Sequence, residues 1–329
     1  MKFIKPRIFL IIAVIYFAAI AIRLFADSGL LPSPQTQARN LEKQKLIKQL
    51  PAGSLKVLDQ PYVKGTRPGR DPNSVQTLDL YVPAGNGPFP MIIWIHGGGW
   101  HGGDKEMSGA SLALQFIPHG FALASLDYRY TYDAPFSAQI EDCNAALVWL
   151  RLNAKEYHLD PDRVGVVGHS AGAHLAALMA TTGDGHQFSK DATSVRVQAA
   201  VCWAGPFDLD RERGNWPTNM FAWNPKDPFS STFFPEGAYD EDFARKSSPA
   251  SYIHKGIPPM LIVHGVQDSV VPLGQAAAFA SSLKQVGDDV TFRIDPDHGY
   301  DVMNAAVTKE AIQFFERTLG YGIYDSPQN

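Results

Sequence analysis

The sequence predicts an α/β fold on a mostly parallel, doubly wound sheet, and three observations predict it. Short apolar runs recur, at Met91 to Ile95, Phe121 to Leu126, Arg163 to Val167, Ala199 to Ala204 and Met260 to Val263. Runs of that length without polar alternation suit strands buried on both faces, as in a parallel sheet. Between them lie residues at helical spacing: Phe136, Ile140, Cys143, Leu147 and Leu150, then Leu273, Ala276, Ala277, Ala280 and Leu283. Strand and helix signals then alternate five times, and that alternation is the third observation. Val57 to Val63 and Val75 to Val82 read as an antiparallel pair leading into the sheet, and Val290 to Ile294 as its last strand.

The 329 residues are 45% hydrophobic and 19% charged with a formal net charge of −4, which excludes a disordered chain and gives no basic footprint for nucleic acid. A domain of this size buries about 75% of its unfolded surface, so its core needs no covalent staples. Cys143 and Cys202 are the only cysteines, too few for a disulfide scaffold or a multi-cysteine zinc site. One lies on the apolar stripe of its helix and the other inside a strand, so both are expected to stay free as small core hydrophobes.

Lys2, Lys5 and Arg7 precede an apolar run from Ile8 to Ile22, the charge-then-apolar order of a secretory signal. Fifteen helical residues span about 22 Å, short of the roughly 30 Å hydrocarbon core. Two readings of residues 1–26 stay open, a cleaved signal peptide and a retained membrane anchor; both imply export to the periplasm or beyond. Residues 27–55 read as a stalk with a loop at Pro32 and Pro34, then one short amphipathic helix carrying Leu41, Leu46, Ile47 and Leu50. The α/β domain is expected over residues 56–322.

Chemistry in such a fold sits at the C-terminal ends of the strands. After the strand ending at Val167 come Gly168, His169, Ser170, Ala171 and Gly172, then an Ala-rich helix over 173–181. A serine on a sharp strand-to-helix turn needs small neighbours, and the turn presents its hydroxyl outward beside the first helical N–H groups. The strand ending at Ile95 runs into His96, Gly97, Gly98, Gly99 and Trp100. Consecutive glycines let backbone N–H groups approach a substrate, as an acyl-transfer site requires where a carbonyl oxygen becomes negative. Gly98, Gly99 and Ala171 are the expected oxyanion donors. A phosphate cradle is the competing reading, but no Lys-Ser/Thr pair follows the glycines.

A nucleophilic serine needs a histidine base, and the base needs an acid. For an elbow serine the chain order is serine, acid, histidine. Of the histidines after Ser170, only His298 lies in a loop directly after the last strand with an acid placed beyond an earlier one. Asp268, in the turn after Met260 to Val263, is the expected acid; Asp295 and Asp297 lie too near His298 in sequence to reach its far nitrogen easily. His298 would take the Ser170 proton during attack, return it to the leaving alcohol, and repeat the cycle with water. No metal or organic cofactor is required. A histidine base loses activity on protonation, so hydrolysis is expected to fall below about pH 6.

The loop His96 to Trp100, the segments Asp127 to Tyr130 and Ile140 to Cys143, the run Gly168 to Ala177 and the turn His264 to Pro272 together resemble the α/β-hydrolase superfamily. Within it they are most similar to bacterial bifunctional feruloyl and acetylxylan esterase domains. The resemblance covers about Leu78 to His298. It implies an α/β-hydrolase fold, carboxylic-ester hydrolysis, and Ser170, Asp268 and His298 as a triad, with Arg129 and Asp142 as structural partners. The nucleophile segment is also similar to that of kynurenine formamidases, which usually carry a bulkier residue where Gly99 stands.

Residues 206–258 form a long insertion dense in aromatics, including Phe207, Trp216, Phe221, Trp223, Phe229, Phe233, Phe234, Tyr239 and Phe243. Insertions at this end of a sheet form caps. Trp100 and Phe207 are the expected substrate contacts, although packing of the cap onto the body accounts for most such rings. The expected substrate is a small ester with a short-chain or aryl acyl group, including acetyl or feruloyl esters of polysaccharide. Arylformamidase, serine peptidase and non-catalytic binding module are the alternatives. A prolyl-type peptidase would bring a large preceding domain, and a dead module would be expected to lose a triad member.

Overall fold

The computed structural model describes residues 34–64, 76–106, 108–183, 188–189, 193–210, 233 and 240–320. The chain divides into two compact units, Met1–Lys48 and Gln49–Asn329. In the first, one helix (α1, Pro34–Ile47) is described. It begins at Pro34, where the sequence predicts a loop; proline is tolerated in a first turn, where its missing N–H has no intrahelical partner. Residues 8–26 lie outside the described residues, among which no helix is long and apolar enough to cross a membrane.

The second unit is built on eight strands: β1 (Leu55–Pro61), β2 (Thr77–Val82), β3 (Phe89–Ile95), β4 (Ala122–Leu126), β5 (Leu159–His169), β6 (Ala199–Trp203), β7 (Met260–Gly265) and β8 (Val290–Asp295). Their spatial order is β1-β2-β4-β3-β5-β6-β7-β8. β1 and β2 are antiparallel to their neighbours, as the sequence predicts for that pair, and every pairing from β4 to β8 is parallel. Helices α2 (Gly109–Phe116), α3 (Ala138–Leu152), α4 (Ala171–Thr182), α5 (Glu241–Lys246), α6 (Leu273–Gln285) and α7 (Ala305–Leu319) flank or connect these strands. α2 and α7 were not read from the sequence. The signal for α7 is nonetheless plain: Val307, Ala311, Ile312, Phe315 and Leu319 form one buried stripe behind the Asn304 cap.

Every residue of β3 and β4 is buried, which is why their sequences carry no polar alternation. Each buried Ile of β3 contributes about 1.5–3 kcal/mol. α4 is buried along its whole length, so Ala-rich composition is what lets it lie so close to the sheet. The strand order reverses about β3, so the loops after β3 and β5 open side by side at the crevice where ligands bind in such sheets. The register puts Ile95 opposite Gly168 and His169 opposite Trp203. Both cysteines are free and buried, as expected, and burial pushes their thiols up.

Candidate active site

Ser170 sits between β5 and α4 with φ 56° and ψ −120°, a conformation that costs a non-glycine residue about 1–3 kcal/mol. Its N–H donates to the Trp203 carbonyl (2.8 Å), and its own carbonyl accepts from His174 N–H (3.0 Å). Two glycines make the turn possible. A Cβ at Gly168 would drive into the Gly172 carbonyl, and one at Gly172 into the Ile95 carbonyl. Ala171 is the first residue of α4, so its N–H has no intrahelical acceptor and opens beside the serine.

The glycine loop lies against this turn. Gly97 is buried, and a Cβ on it would meet His169 and the Ser170 Cβ. Gly98 is exposed and Gly99 half-buried. Gly98 adopts φ +118°, and its carbonyl accepts from His101 N–H (3.2 Å). The loop is anchored at both ends by histidines that must stay neutral. His96 donates from Nδ1 to the Gly97 carbonyl (2.7 Å) and stacks on Tyr128 at 4.4 Å. Its Nε2 is buried without a partner among the described residues. His174 accepts at Nδ1 from the Trp100 indole N–H (3.2 Å) and donates from Nε2 to the Ser247 carbonyl (2.7 Å). Burial lowers both imidazoles to about 4.

The other half of the site is arranged differently from expectation. His298 does not bond Asp268; its Nδ1 meets Asp295 Oδ1 at 2.9 Å, with the imidazole 44% exposed. Asp295 thus does reach His298. An Asx turn, in which Asp297 N–H donates to Asp295 Oδ1 (3.0 Å), folds the chain back over three residues. Desolvation opposes ionisation of Asp295, but the bonds from His298 and the Asp297 amide outweigh it and hold this carboxyl below its usual range. Asp268 lies in the turn after β7, its Oδ1 accepting from Val270 and Val271 N–H (2.8 Å each). Its Oδ2 is 3.0 Å from His264 Nε2. That nitrogen directs its hydrogen at the Val271 carbonyl (2.9 Å), leaving Oδ2 without a hydrogen bond of its own.

The backbones of the acid and base loops are nonetheless adjacent. Gln267 N–H donates to the His298 carbonyl (3.3 Å), and a Cβ at Gly265 would strike that same carbonyl. Tyr300, two residues on, brings its hydroxyl beside the Ser170 side chain. His169 Nε2 donates to the Tyr300 carbonyl (3.1 Å), tying this loop to the elbow. Sequence reasoning passed over Tyr300; its proximity to His298 in the sequence is the signal that was available.

Both expected substrate contacts are corrected. Trp100 is 4% exposed, packed at 4.8 Å on Phe233 and bonded to His174, so it fastens the glycine loop rather than facing a substrate. Phe207 is fully buried, stacked at 4.5 Å on Phe279. Phe233 and Phe243 join Phe136 in one cluster, with ring separations of 5.5–5.9 Å. Trp216, Phe221, Trp223, Phe229, Phe234 and Tyr239 lie outside the described residues. Arg129 and Asp142 form a two-pronged ion pair, Nε to Oδ2 at 2.9 Å and Nη2 to Oδ1 at 2.7 Å, on the wall of a separate cavity of about 570 Å³. No group of metal-binding side chains occurs among the described residues.

A strained serine elbow at the reversal point of a mostly parallel sheet, facing a triple-glycine loop, defines the α/β-hydrolase class. Residues 78–283 match the BD-FAE family model, and the chain belongs to that family. It is 30% identical over 202 residues to the esterase LipQ of Mycobacterium tuberculosis, covering 60% of this chain and 46% of that protein. It is 26% identical over 223 residues to a probable isoprenylcysteine alpha-carbonyl methylesterase of Arabidopsis thaliana, covering 64% and 45%. The chain spans about half the length of the curated relatives it matches. Among solved structures it is similar to a truncated carbohydrate esterase from gut microbiota (TM-score 0.70, 25% identity, 80% of this chain and 96% of that one). It is also similar to a bifunctional GH43-CE protein of Bacteroides eggerthii (TM-score 0.67, 29% identity, 80% and 38%).

Proposed function

We propose that the protein is a serine carboxylesterase acting through an acyl-enzyme, with Ser170 as nucleophile, His298 as base and Asp268 as the acid behind it. The strained turn at Ser170 carries this reading. A φ of 56° on a serine between two obligatory glycines is maintained against its cost only where the placement of its hydroxyl matters. In the cycle, His298 accepts the Ser170 proton as Oγ attacks the ester carbonyl. The N–H groups of Gly98, Gly99 and Ala171 receive the oxyanion, and the leaving alcohol takes the proton from His298. Water then attacks the acyl-serine with His298 again as base, releasing the acid and restoring the hydroxyl.

His298 must leave Asp295 for Asp268. Half-exposed histidine–carboxylate pairs are worth about 0–1 kcal/mol, and exposed side chains change rotamer in picoseconds to nanoseconds. The swing is therefore not a barrier to turnover. Asp268 is favoured over Asp295 because its Oδ2 is buried and holds no hydrogen bond, whereas Asp295 is already satisfied by an amide and by Arg293 at 3.3 Å. Acetyl or feruloyl esters of polysaccharide are the proposed substrates, supported by similarity to proteins described as carbohydrate esterases. Export, supported by Lys2, Lys5 and Arg7 ahead of Ile8 to Ile22, would bring the enzyme to such polymers.

The test is a substrate panel of p-nitrophenyl acetate, methyl ferulate, acetylated xylan, N-formylkynurenine and a proline peptide. It is combined with mass spectrometry after an organophosphonate. Hydrolysis of the esters, a single adduct on Ser170, and loss of both in Ser170→Ala are expected. Turnover confined to the formamide or the peptide, or an adduct elsewhere, overturns the reading.

A further inference from the structure

The turn that carries Asp268 is closed by a side chain that the cycle above does not use. His264 is the penultimate residue of β7, paired in register with Ile294 of β8, and its imidazole is fully buried. Its Nε2 lies 2.9 Å from the Val271 carbonyl and 3.0 Å from Asp268 Oδ2, so one nitrogen touches both the acid and the far end of the turn. The Val271 carbonyl can only accept, so the proton sits on Nε2, which fixes the tautomer and leaves Nδ1 as an acceptor. That Nδ1 is buried with no partner among the described residues. An aliphatic residue would fill the same space without burying an unsatisfied nitrogen, so packing alone does not account for a histidine here. With Oδ1 held by the Val270 and Val271 amides and Oδ2 flanked by His264, the Asp268 carboxylate has one orientation.

We propose that His264 is a positioning residue for the reaction: its imidazole, anchored through Nε2–H on the Val271 carbonyl and in contact with Asp268 Oδ2 at 3.0 Å, holds the carboxylate in the orientation in which it receives His298. The inference rests on Asp268 being the acid. His264 touches neither substrate nor Ser170, so its whole effect on rate passes through Asp268. Partners that orient a reacting group from behind typically change its performance 10- to 100-fold.

The experiment is a double-mutant cycle on the full chain with p-nitrophenyl acetate, reading kcat and KM separately, with the unfolding midpoint of each variant recorded. His264→Leu should lower kcat about 10- to 100-fold with KM within twofold. Asp268→Asn should lower it further, and the double variant should be no slower than Asp268→Asn alone. Losses that multiply in the double variant, or a kcat unchanged in His264→Leu, overturn the proposal. Should His264→Leu fail to fold, the comparison of His264→Gln with His264→Asn decides. Gln carries its N–H near the position of Nε2 and Asn near that of Nδ1, so Gln should retain most of kcat and Asn should not; equal rates overturn the proposal. Failure of the underlying reading shows separately, as wild-type kcat in Asp268→Asn.

Discussion

The two halves of the site are held by different forces. Around β3 and β5, backbone groups and close glycine contacts fix the Ser170 turn and the loop after Ile95, and Ser170, His96, Gly97 and Trp100 are buried there. Around β7 and β8, backbone pairing brings the two loops together, but the side chains choose their own partners. His298 lies half-exposed on Asp295, three residues away, and Val266, Val270 and Ile294 stand exposed on the same rim. On the proposed reading the nucleophile and its oxyanion donors are thus prearranged, since the cost of that geometry is met during folding. On the same reading the base, His298, is half-exposed, as suits a group that shuttles a proton between serine and leaving alcohol.

Replacing the acids breaks the comparison most strongly. Asp268→Asn should lower kcat by roughly 10⁴-fold, the scale seen when a triad acid loses its charge. Asp295→Asn should change it by less than about threefold, since it weakens only the parking contact and the Arg293 pair, neither of which the cycle uses. The reverse ranking in steady-state assays would move the acid to Asp295 and make the β8 loop self-sufficient.

Next in size is Gly172→Ala. The new methyl group would overlap the Ile95 carbonyl, a clash between backbone and a wholly buried helix that cannot be relieved by a side-chain movement. Destabilisation of about 4 kcal/mol or more is expected, read by urea unfolding or as loss of soluble protein. A fully stable Gly172→Ala would mean that the elbow is less rigid than its packing indicates.

Acid sharpens the contrast at an intermediate scale. His96 and His174 stay neutral in the fold down to about pH 4, whereas a free histidine takes its proton near pH 6.5. Across that interval the unfolded chain binds up to two more protons than the native one, so stability falls as pH is lowered. The loss should be on the order of 2 kcal/mol per histidine by pH 5. Urea midpoints measured from pH 7 to pH 4.5 would show it, and a flat profile would contradict the neutral assignments. The smallest expected effect is that of Trp100→Phe. It leaves His174 Nδ1 unsatisfied and should cost about 1–2 kcal/mol, a few degrees in Tm, with kcat falling less than tenfold.

Much of the site was legible because its chemistry depends on local chain geometry. Gly168 and Gly172 flank Ser170 because no other residue fits there, and the apolar runs of β3 to β7 mark strands covered on both faces. The pairing of His298 was not legible in the same way. Asp295 was set aside for lying too close in sequence, yet an Asx turn shortens three residues into contact. Trp100 and Phe207 look from the sequence like rings at a binding face. Whether a ring faces solvent or the next helix depends on which residues arrive from elsewhere, here His174, Phe233 and Phe279.

The sequence by itself determined the parts set by short-range sterics: a parallel sheet, a glycine-framed serine after one strand, a glycine loop after another, and two cysteines kept as core residues. Only the tertiary structure decided which carboxylate holds His298, that His264 stands behind Asp268, and that Tyr300 reaches Ser170. The approach of Tyr300 to Ser170 joins β5 to the loop after β8, and its distance exists only once the strands have paired. The other two contacts span three and four residues, and they depend on how the turns after β7 and β8 fold against their neighbours, which residue pattern alone does not specify.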